Sequence, residues 1–173
     1  METMIPVKKL QSIDVNRLMS EWNDIKDKVS WKDGQTAVHY REQCRDRHLD
    51  PCGWPDPEEF KRRGGEFQKD FVLVNDEYKG SIIEEVLNEY QVYRARVMTR
   101  QPNSCYRWHK DNTWRIHIPL VSDHGNFLAF EEYGLFRVEP GHVYTVNTTL
   151  MHTFFNGSKS DRTHIVGPTD LLL

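Results

Sequence analysis

The chain has 173 residues, which is enough for one domain of ordinary size with a substantial core and too short for two full domains. Hydrophobic residues make up 38% and charged residues 28%, but the 12% of aromatic residues, including five tryptophans, indicates a packed interior. The net charge of -3, spread over interleaved acidic and basic residues, argues against a nucleic-acid binder that depends on a basic surface.

Cysteine usage and the lack of long apolar runs indicate the compartment. No stretch approaches the roughly 18 consecutive apolar residues of a membrane-spanning helix. Cys44, Cys52 and Cys105 are odd in number and widely spaced, without a CxxC pair, so a disulfide framework or a cysteine zinc site has little support. We therefore expect a protein of the reducing cytoplasm that does not bind a membrane. The sequence does not indicate its oligomeric state.

Two helices are predicted in the N-terminal half. Residues 8–29 place apolar side chains at helical spacing, and Asp14 is suited to cap the N-terminus of this helix. Residues 81–90 predict the second helix, with Ser81 as its N-cap and Glu84 completing a capping box.

The segment between these helices, residues 31–69, is polar and rich in glycine, proline, aspartate and arginine. It predicts a loop-dominated stretch with one short helix after Pro57. Long loops of this kind often cover binding sites. If this one covers a site, it brings five candidate cations for an anionic substrate: Arg41, Arg45, Arg47, Arg62 and Arg63.

After residue 90 the pattern changes to short alternating segments separated by Gly, Pro-Gly and Asn-Gly turns. Closely spaced strands that follow helices favour a sandwich or barrel with the helices packed outside. Seven strands are predicted, at residues 91–100, 104–110, 113–121, 126–132, 134–139, 142–148 and 162–167.

Two places in this β half concentrate metal ligands. His109 and Asp111 are two residues apart, so in an extended strand their side chains point to the same side. His152 follows just beyond the strand predicted to end at Thr148. Two imidazoles and one carboxylate form the facial triad of non-haem Fe(II) oxygenases, although an isolated His-x-Asp is more often an ordinary surface pair.

Arg162 favours the metal interpretation. It lies soon after His152 at the start of a predicted strand. A guanidinium buried beside a metal site binds a carboxylate through two parallel hydrogen bonds, as a dicarboxylate that chelates iron at its other end requires. The alternative is an exposed charge at the strand entry, beside Asp161.

The ordered motifs of residues 91–168 resemble the catalytic core of the aspartyl/asparaginyl β-hydroxylase family of 2-oxoglutarate- and Fe(II)-dependent dioxygenases, which includes bacterial hydroxylases of free proline. Residues 1–90 match no family in this way. The motifs are His109-Lys110-Asp111, Arg115-Ile116-His117-Ile118-Pro119-Leu120, Pro140-Gly141-His142-Val143-Tyr144, His152 with Asn156-Gly157, and Arg162-Thr163-His164-Ile165-Val166.

The resemblance implies roles for six residues. It implies His109, Asp111 and His152 as the iron ligands, and Arg162 as the residue that binds the distal carboxylate of 2-oxoglutarate. Arg115 and His117 match positions that border the cosubstrate or the substrate. The implied cofactors are Fe(II), the cosubstrate 2-oxoglutarate and O2.

The resemblance also implies a fold and a reaction. The fold is a mainly β double-stranded β-helix, a cupin-like jelly roll with flanking helices. One domain then spans residues 1–173, with a helical and loop elaboration at 1–90 and a catalytic jelly-roll core at 91–168. The implied reaction is hydroxylation of a C–H bond in a small amino acid or in a peptide or protein side chain.

Two other functions stay open. A cupin-like metal enzyme that does not use 2-oxoglutarate, such as an isomerase, has no need for an arginine at the position of Arg162. A non-catalytic jelly-roll binding module predicts a broken triad, whereas all three ligands are present here.

Overall fold

A computed structural model describes residues 5–53 and 56–171. The helices of this part are α1 (Val15–Ile25), α2 (Pro57–Arg63) and α3 (Ile82–Glu89), with 3-10 turns at Glu66–Asp70 and Asp76–Tyr78. The strands are β1 (Val7–Ser12), β2 (Gln35–Ala37), β3 (His39–Tyr40), β4 (Leu73–Val74), β5 (Arg96–Arg100), β6 (Ser104–Cys105), β7 (Trp114–Val121), β8 (Asn126–Phe130), β9 (Gly134–Phe136), β10 (His142–Val146), β11 (His152–Asn156) and β12 (Arg162–Thr169). None of the helices described is long and apolar enough to cross a membrane.

The strands form two main antiparallel sheets. The large sheet has the order β1-β10-β7-β12-β5-β2, and the small sheet has the order β6-β11-β8-β9. Strands β3 and β4 form a separate pair. Apart from the hairpin of β8 and β9, neighbours within the two sheets are not consecutive in sequence, as in a jelly roll, where the chain alternates between two facing sheets. The predicted mainly β jelly roll with flanking helices is therefore confirmed.

Alternation along the strands of the large sheet gives it two chemically different faces. Val97, Ile116 and Ile165 point outward and are fully buried under helices α1 and α3. Leu18 of α1 and Ile83 of α3 belong to the same apolar cluster. A second apolar cluster lies nearer the small sheet, formed by Leu128, Phe130, Val138, Tyr144, Val146 and Phe154.

Both predicted helix caps are present. The Asp14 carboxylate accepts hydrogen bonds from the backbone of the first turn of α1. The Ser81 hydroxyl accepts from the Glu84 backbone N–H at 3.2 Å. The Glu84 carboxylate, however, accepts from Gly80 N at 2.6 Å, one residue before the position that a capping box uses.

The structure corrects the predicted start of the first helix. Residues 7–12 form strand β1, which pairs with β10 at the edge of the large sheet. Lys8 and Lys9 are exposed, whereas Leu10 packs against the core. Two exposed lysines followed by a partly buried leucine fit both a half-buried edge strand and the end of an amphipathic helix. Only the pairing with β10 shows that these residues form a strand.

All seven predicted strand segments contain a strand, but their limits differ. Residues 91–95 precede strand β5 and are irregular, and the segment predicted at 104–110 is a strand only at Ser104–Cys105. The prediction lacked β11 and also the short strands within residues 31–69, of which β2 joins the large sheet beside β5. The helix predicted after Pro57 is confirmed as α2, with Asp56 accepting hydrogen bonds at its N-terminus.

Gly167 provides a test of the packing of β12. A β-carbon at this position would overlap Val92 Cγ1 and lie 3.0 Å from Tyr93 O. We therefore expect Gly167→Ala to lower the free energy of unfolding by about 1–3 kcal/mol, measured by urea denaturation. Gly65→Ala is the control, because its added carbon lies no closer than 3.6 Å to another atom. Equal stability of the two variants would contradict this packing.

Candidate metal centre

The two histidines of the predicted triad are joined through their backbones. His109 N donates to His152 O at 3.0 Å, and His152 N donates to His109 O at 2.9 Å. Asp111 N donates to Thr148 O at 2.8 Å. This hydrogen bond holds the irregular segment between β6 and β7, which contains both His109 and Asp111, against the chain that leads into β11. Three hydrogen bonds thus place His109, Asp111 and His152 together, although Asp111 and His152 are far apart in sequence.

Each imidazole is oriented by a carbonyl close to it in sequence. His109 Nδ1 lies 2.8 Å from Arg107 O, and His152 Nδ1 lies 2.9 Å from Leu150 O. A carbonyl only accepts, so Nδ1 carries the proton in both rings. In the neutral imidazole this leaves the lone pair on Nε2, the arrangement typical of metal-binding histidines.

The carboxylate completes the set. One ligand atom from each of His109, Asp111 and His152 lies within 4.8 Å of the other two. Asp111 Oδ2 is 3.9 Å from His152 Nε2 and 2.7 Å from Arg115 Nε, so Arg115 anchors the carboxylate. Burial lowers the pKa of His152, which keeps its imidazole neutral near pH 7. Two neutral imidazoles and one carboxylate fit a divalent iron-type ion with open coordination positions.

A cavity of about 70 Å³ lies between the two sheets at this centre. It is smaller than the roughly 300–1,000 Å³ of pockets for drug-sized ligands, which favours compact ligands. All six residues predicted for the site line it, namely His109, Asp111, Arg115, His117, His152 and Arg162. The other lining residues are Met98, Arg100, Tyr106, Leu128, Thr148, Phe154 and Val166.

Arg162 is buried in this cavity without a carboxylate. Its side chain is 4% exposed, and no acidic residue in the described part of the chain forms an ion pair with it. Its Nη2 lies 2.9 Å from His164 Nδ1, and its guanidinium stacks over Phe154 at 4.5 Å. Burial lowers the pKa of Arg162 to about 9. An anion bound here would offset the cost of burying this charge.

Two further histidines face the same cavity region. His117 lines the cavity, and its ring lies edge-on to His164 with centroids 5.9 Å apart. Burial lowers the pKa of both imidazoles well below the usual range, and the charge of Arg162 lowers each further. Both rings are therefore neutral at pH 7, which leaves the positive charge on the arginines.

The sequence analysis missed Arg100 and Tyr106. The guanidinium of Arg100 stacks over Tyr106 at 4.5 Å and donates a hydrogen bond to its hydroxyl, and both residues line the cavity. The alternation along β5 supplies a signal for Arg100, because residues 96, 98 and 100 share a face. No local pattern distinguishes Tyr106 from a core tyrosine.

The structure does not bring the arginines predicted as candidate cations in residues 31–69 to the cavity. Arg41 and Arg63 each form ion pairs with both Glu59 and Asp70. None of the five arginines predicted as candidate cations lines the cavity at the triad. The cationic groups at the site come from strands β5, β7 and β12 instead.

Comparison with known proteins establishes the fold. No protein-family model matches the chain, and no curated protein matches it. An oxidoreductase of the 2OG-Fe(II) oxygenase family from Burkholderia pseudomallei is similar in structure, with 13% identity over 94% of this chain and 83% of that chain and a TM-score of 0.57. The non-haem monooxygenase ThoJ, in a nickel complex, has 8% identity over 95% of this chain and 74% of its own, with a TM-score of 0.50.

The triad predicts stoichiometric metal binding. We expect the purified protein to bind one Fe(II) per chain under anaerobic conditions, measured by isothermal titration calorimetry. His109→Ala or His152→Ala should reduce binding below detection, because each removes one of three ligands. His124→Ala is the control, since His124 is exposed and does not line the cavity. Unchanged iron binding in both ligand variants would contradict the assignment.

Proposed function

We propose that this protein is a 2-oxoglutarate- and Fe(II)-dependent oxygenase of the aspartyl/asparaginyl β-hydroxylase type, acting on a C–H bond of a small amino acid or of a peptide or protein side chain. The observation that carries the proposal is the buried guanidinium of Arg162, which lies in the same cavity as the triad and forms no ion pair with a carboxylate in the described part of the chain. The motif resemblance and the shared oxygenase fold support it. The free cysteines are consistent with a cytoplasmic enzyme.

The donor set suits the proposed metal. His109, Asp111 and His152 would hold Fe(II), with both Nε2 lone pairs already directed by backbone carbonyls. Together with 2-oxoglutarate and O2, the bound iron supplies the oxidising chemistry that an unreactive C–H bond needs. Protein side chains lack such oxidising power, so the residues of this chain bind, orient and exclude water.

The remaining cavity residues have distinct roles in this proposal. Arg162 binds the distal carboxylate of 2-oxoglutarate through its planar guanidinium, which matches a carboxylate in a bidentate manner. Phe154 fixes the plane of that guanidinium, and His164 accepts one of its hydrogen bonds. Leu128 and Val166 keep part of the cavity wall apolar. A site that excludes water in this way limits unproductive oxidation.

Cosubstrate binding is tested with Arg162. Anaerobic Fe(II) and 2-oxoglutarate should give a weak visible charge-transfer band, which serves as the signal for a titration. Arg162→Ala should lower the affinity for 2-oxoglutarate by a factor of tens to thousands, because losing one partner of a desolvated charge pair costs about 2–5 kcal/mol. Iron binding should persist in this variant.

Arg62→Ala is the matched control for that titration, because Arg62 is an exposed arginine on α2. It should leave the affinity for 2-oxoglutarate unchanged. Wild-type affinity in Arg162→Ala would place the carboxylate elsewhere, with Arg115 as the next candidate. Iron binding without any 2-oxoglutarate binding would instead favour the cupin-like metal enzyme.

Turnover is tested by mass spectrometry. A panel of free amino acids and peptides, incubated with the protein, Fe(II), 2-oxoglutarate and O2, should yield a product heavier by one oxygen atom together with succinate. Asp111→Ala should abolish both products, because it removes the one carboxylate ligand of the centre. Succinate and product formed at the wild-type rate by this variant would contradict the assigned role of Asp111.

A further inference from the structure

The outer face of the small sheet is apolar. Leu128 belongs to the core, so its neighbours Phe127 and Ala129 point to the other side of β8. Phe127 packs against Phe155 of β11 with ring centroids 5.2 Å apart, and Ala129 pairs with Leu135 of β9. Helices α1 and α3 bury the outer face of the large sheet, whereas this second face stays open to solvent in the described part of the chain.

An open groove of about 660 Å³ lies on this face. Its lining comes from all four strands of the small sheet, so it crosses three strand spacings of about 4.8 Å, or roughly 14 Å. An extended peptide rises about 3.3 Å per residue, so about four residues match this width. We define the small-sheet groove by six of its lining residues: Cys105, Trp108, Glu131, Leu135, Thr153 and Phe155.

Two large apolar side chains of the groove are mostly exposed. Trp108 is 52% exposed and Leu135 is 59% exposed, and neither belongs to the two apolar clusters of the core. Both cost free energy when they face water. Contiguous apolar surface with a polar rim is typical of sites that bind another molecule.

Glu131 gives the groove its charge. It is the one charged side chain among the described residues that line the groove. Glu131 is exposed and forms no ion pair within the described part of the chain, where Arg137, the nearest arginine in sequence, pairs with Glu139 instead. The indole of Trp108 also attracts cations. Apolar walls, a carboxylate and an indole together favour a ligand with both apolar and basic groups.

We propose that the small-sheet groove binds an extended peptide segment of another protein, in which a lysine or arginine stands next to a bulky apolar residue. The basic group pairs with Glu131, and the apolar side chain packs against Leu135 and Phe155. Charge complementarity then selects the partner, and apolar burial supplies most of the affinity.

A second copy of this chain fits the groove less well. A two-fold contact between identical patches brings the same surface of both copies together. The described lining of the groove holds a carboxylate and no cation, so it does not complement itself in charge. A partner that supplies the positive charge is therefore favoured.

The groove is distinct from the metal cavity. The cavity lies between the two sheets, and the groove lies on the other side of the small sheet, although Tyr106 lines both. Peptide binding in the groove requires neither iron nor 2-oxoglutarate. The inference therefore goes beyond the proposed function, and its test is independent of the oxygenase assignment.

The test titrates the whole protein with synthetic pentapeptides that are capped at both ends, and follows binding by NMR chemical shifts. The peptides combine phenylalanine, leucine or tryptophan with an adjacent lysine, glutamine or glutamate in an alanine background. We expect a lysine peptide to bind about fivefold more tightly than its glutamine counterpart, and the glutamate peptide to bind most weakly. The shifted resonances should belong to residues of the groove.

Charge reversal of the groove provides the sharpest variant. Glu131→Lys should weaken binding of the lysine peptide by about fivefold or more and should strengthen binding of the glutamate peptide. Glu42→Lys is the matched control, because Glu42 is an exposed carboxylate outside the groove. It should leave both affinities unchanged.

The apolar contact is tested separately. Leu135→Ala should weaken all the peptides by about fivefold, because it removes apolar surface from the groove wall. Val72→Ala is its control, since Val72 is 57% exposed and lies outside the groove. The substituted side chains are exposed, so we expect each variant to keep the wild-type fold, checked by circular dichroism.

The proposal is rejected if no peptide of the panel binds, if lysine and glutamate peptides bind equally, or if Glu131→Lys and Leu135→Ala bind like the wild type. Analytical ultracentrifugation tests the other occupant. A wild-type dimer that Leu135→Ala converts to a monomer would place a second copy in the groove and reject the peptide. Absence of iron or 2-oxoglutarate binding would reject the proposed function alone and leave the peptide result standing.

Discussion

The mutual backbone hydrogen bonds between His109 and His152 are the constraint on which the candidate centre depends. They join an irregular segment after β6 to the first residue of β11, and so bring ligands from two distant parts of the chain into contact. Because both rings are also fixed through Nδ1, neither histidine has to reorganise to present Nε2. Such preorganisation limits the entropy lost when a ligand binds.

The second constraint is the placement of charge. A sheet that faces helices on one side and a cavity on the other directs apolar residues outward and arginines inward. Burying guanidinium groups without carboxylates opposes folding. Anions that bind the folded state alone would recover that cost in proportion to the logarithm of their concentration. The buried arginines of the inner face, which lines the cavity, therefore lower the stability of the protein when no anion is bound.

The alternation of the β half predicted a sandwich or barrel, whereas the jelly roll and the six proposed site residues came from the resemblance of its local motifs to a known family. The sequence patterns did not predict strands that form only by pairing with a strand far away in sequence. Strand β1 depends on β10, and β2 depends on β5, so neither is marked by a local signal. The ion pairs of Arg41 and Arg63 could not be predicted either, because an arginine in a sequence does not indicate which acidic residue the fold places beside it.

Helices α1 and α3 cover the outer face of the large sheet, so removing the N-terminal half of the chain would uncover that face. Ile116, Ile118 and Ile165 are fully buried only because these helices lie against them. Residues 91–171 alone would keep the metal ligands but would present this apolar face to water. Exposed patches of this kind cause proteins to associate. The motif-bearing half therefore depends on residues 5–90 to cover this apolar face.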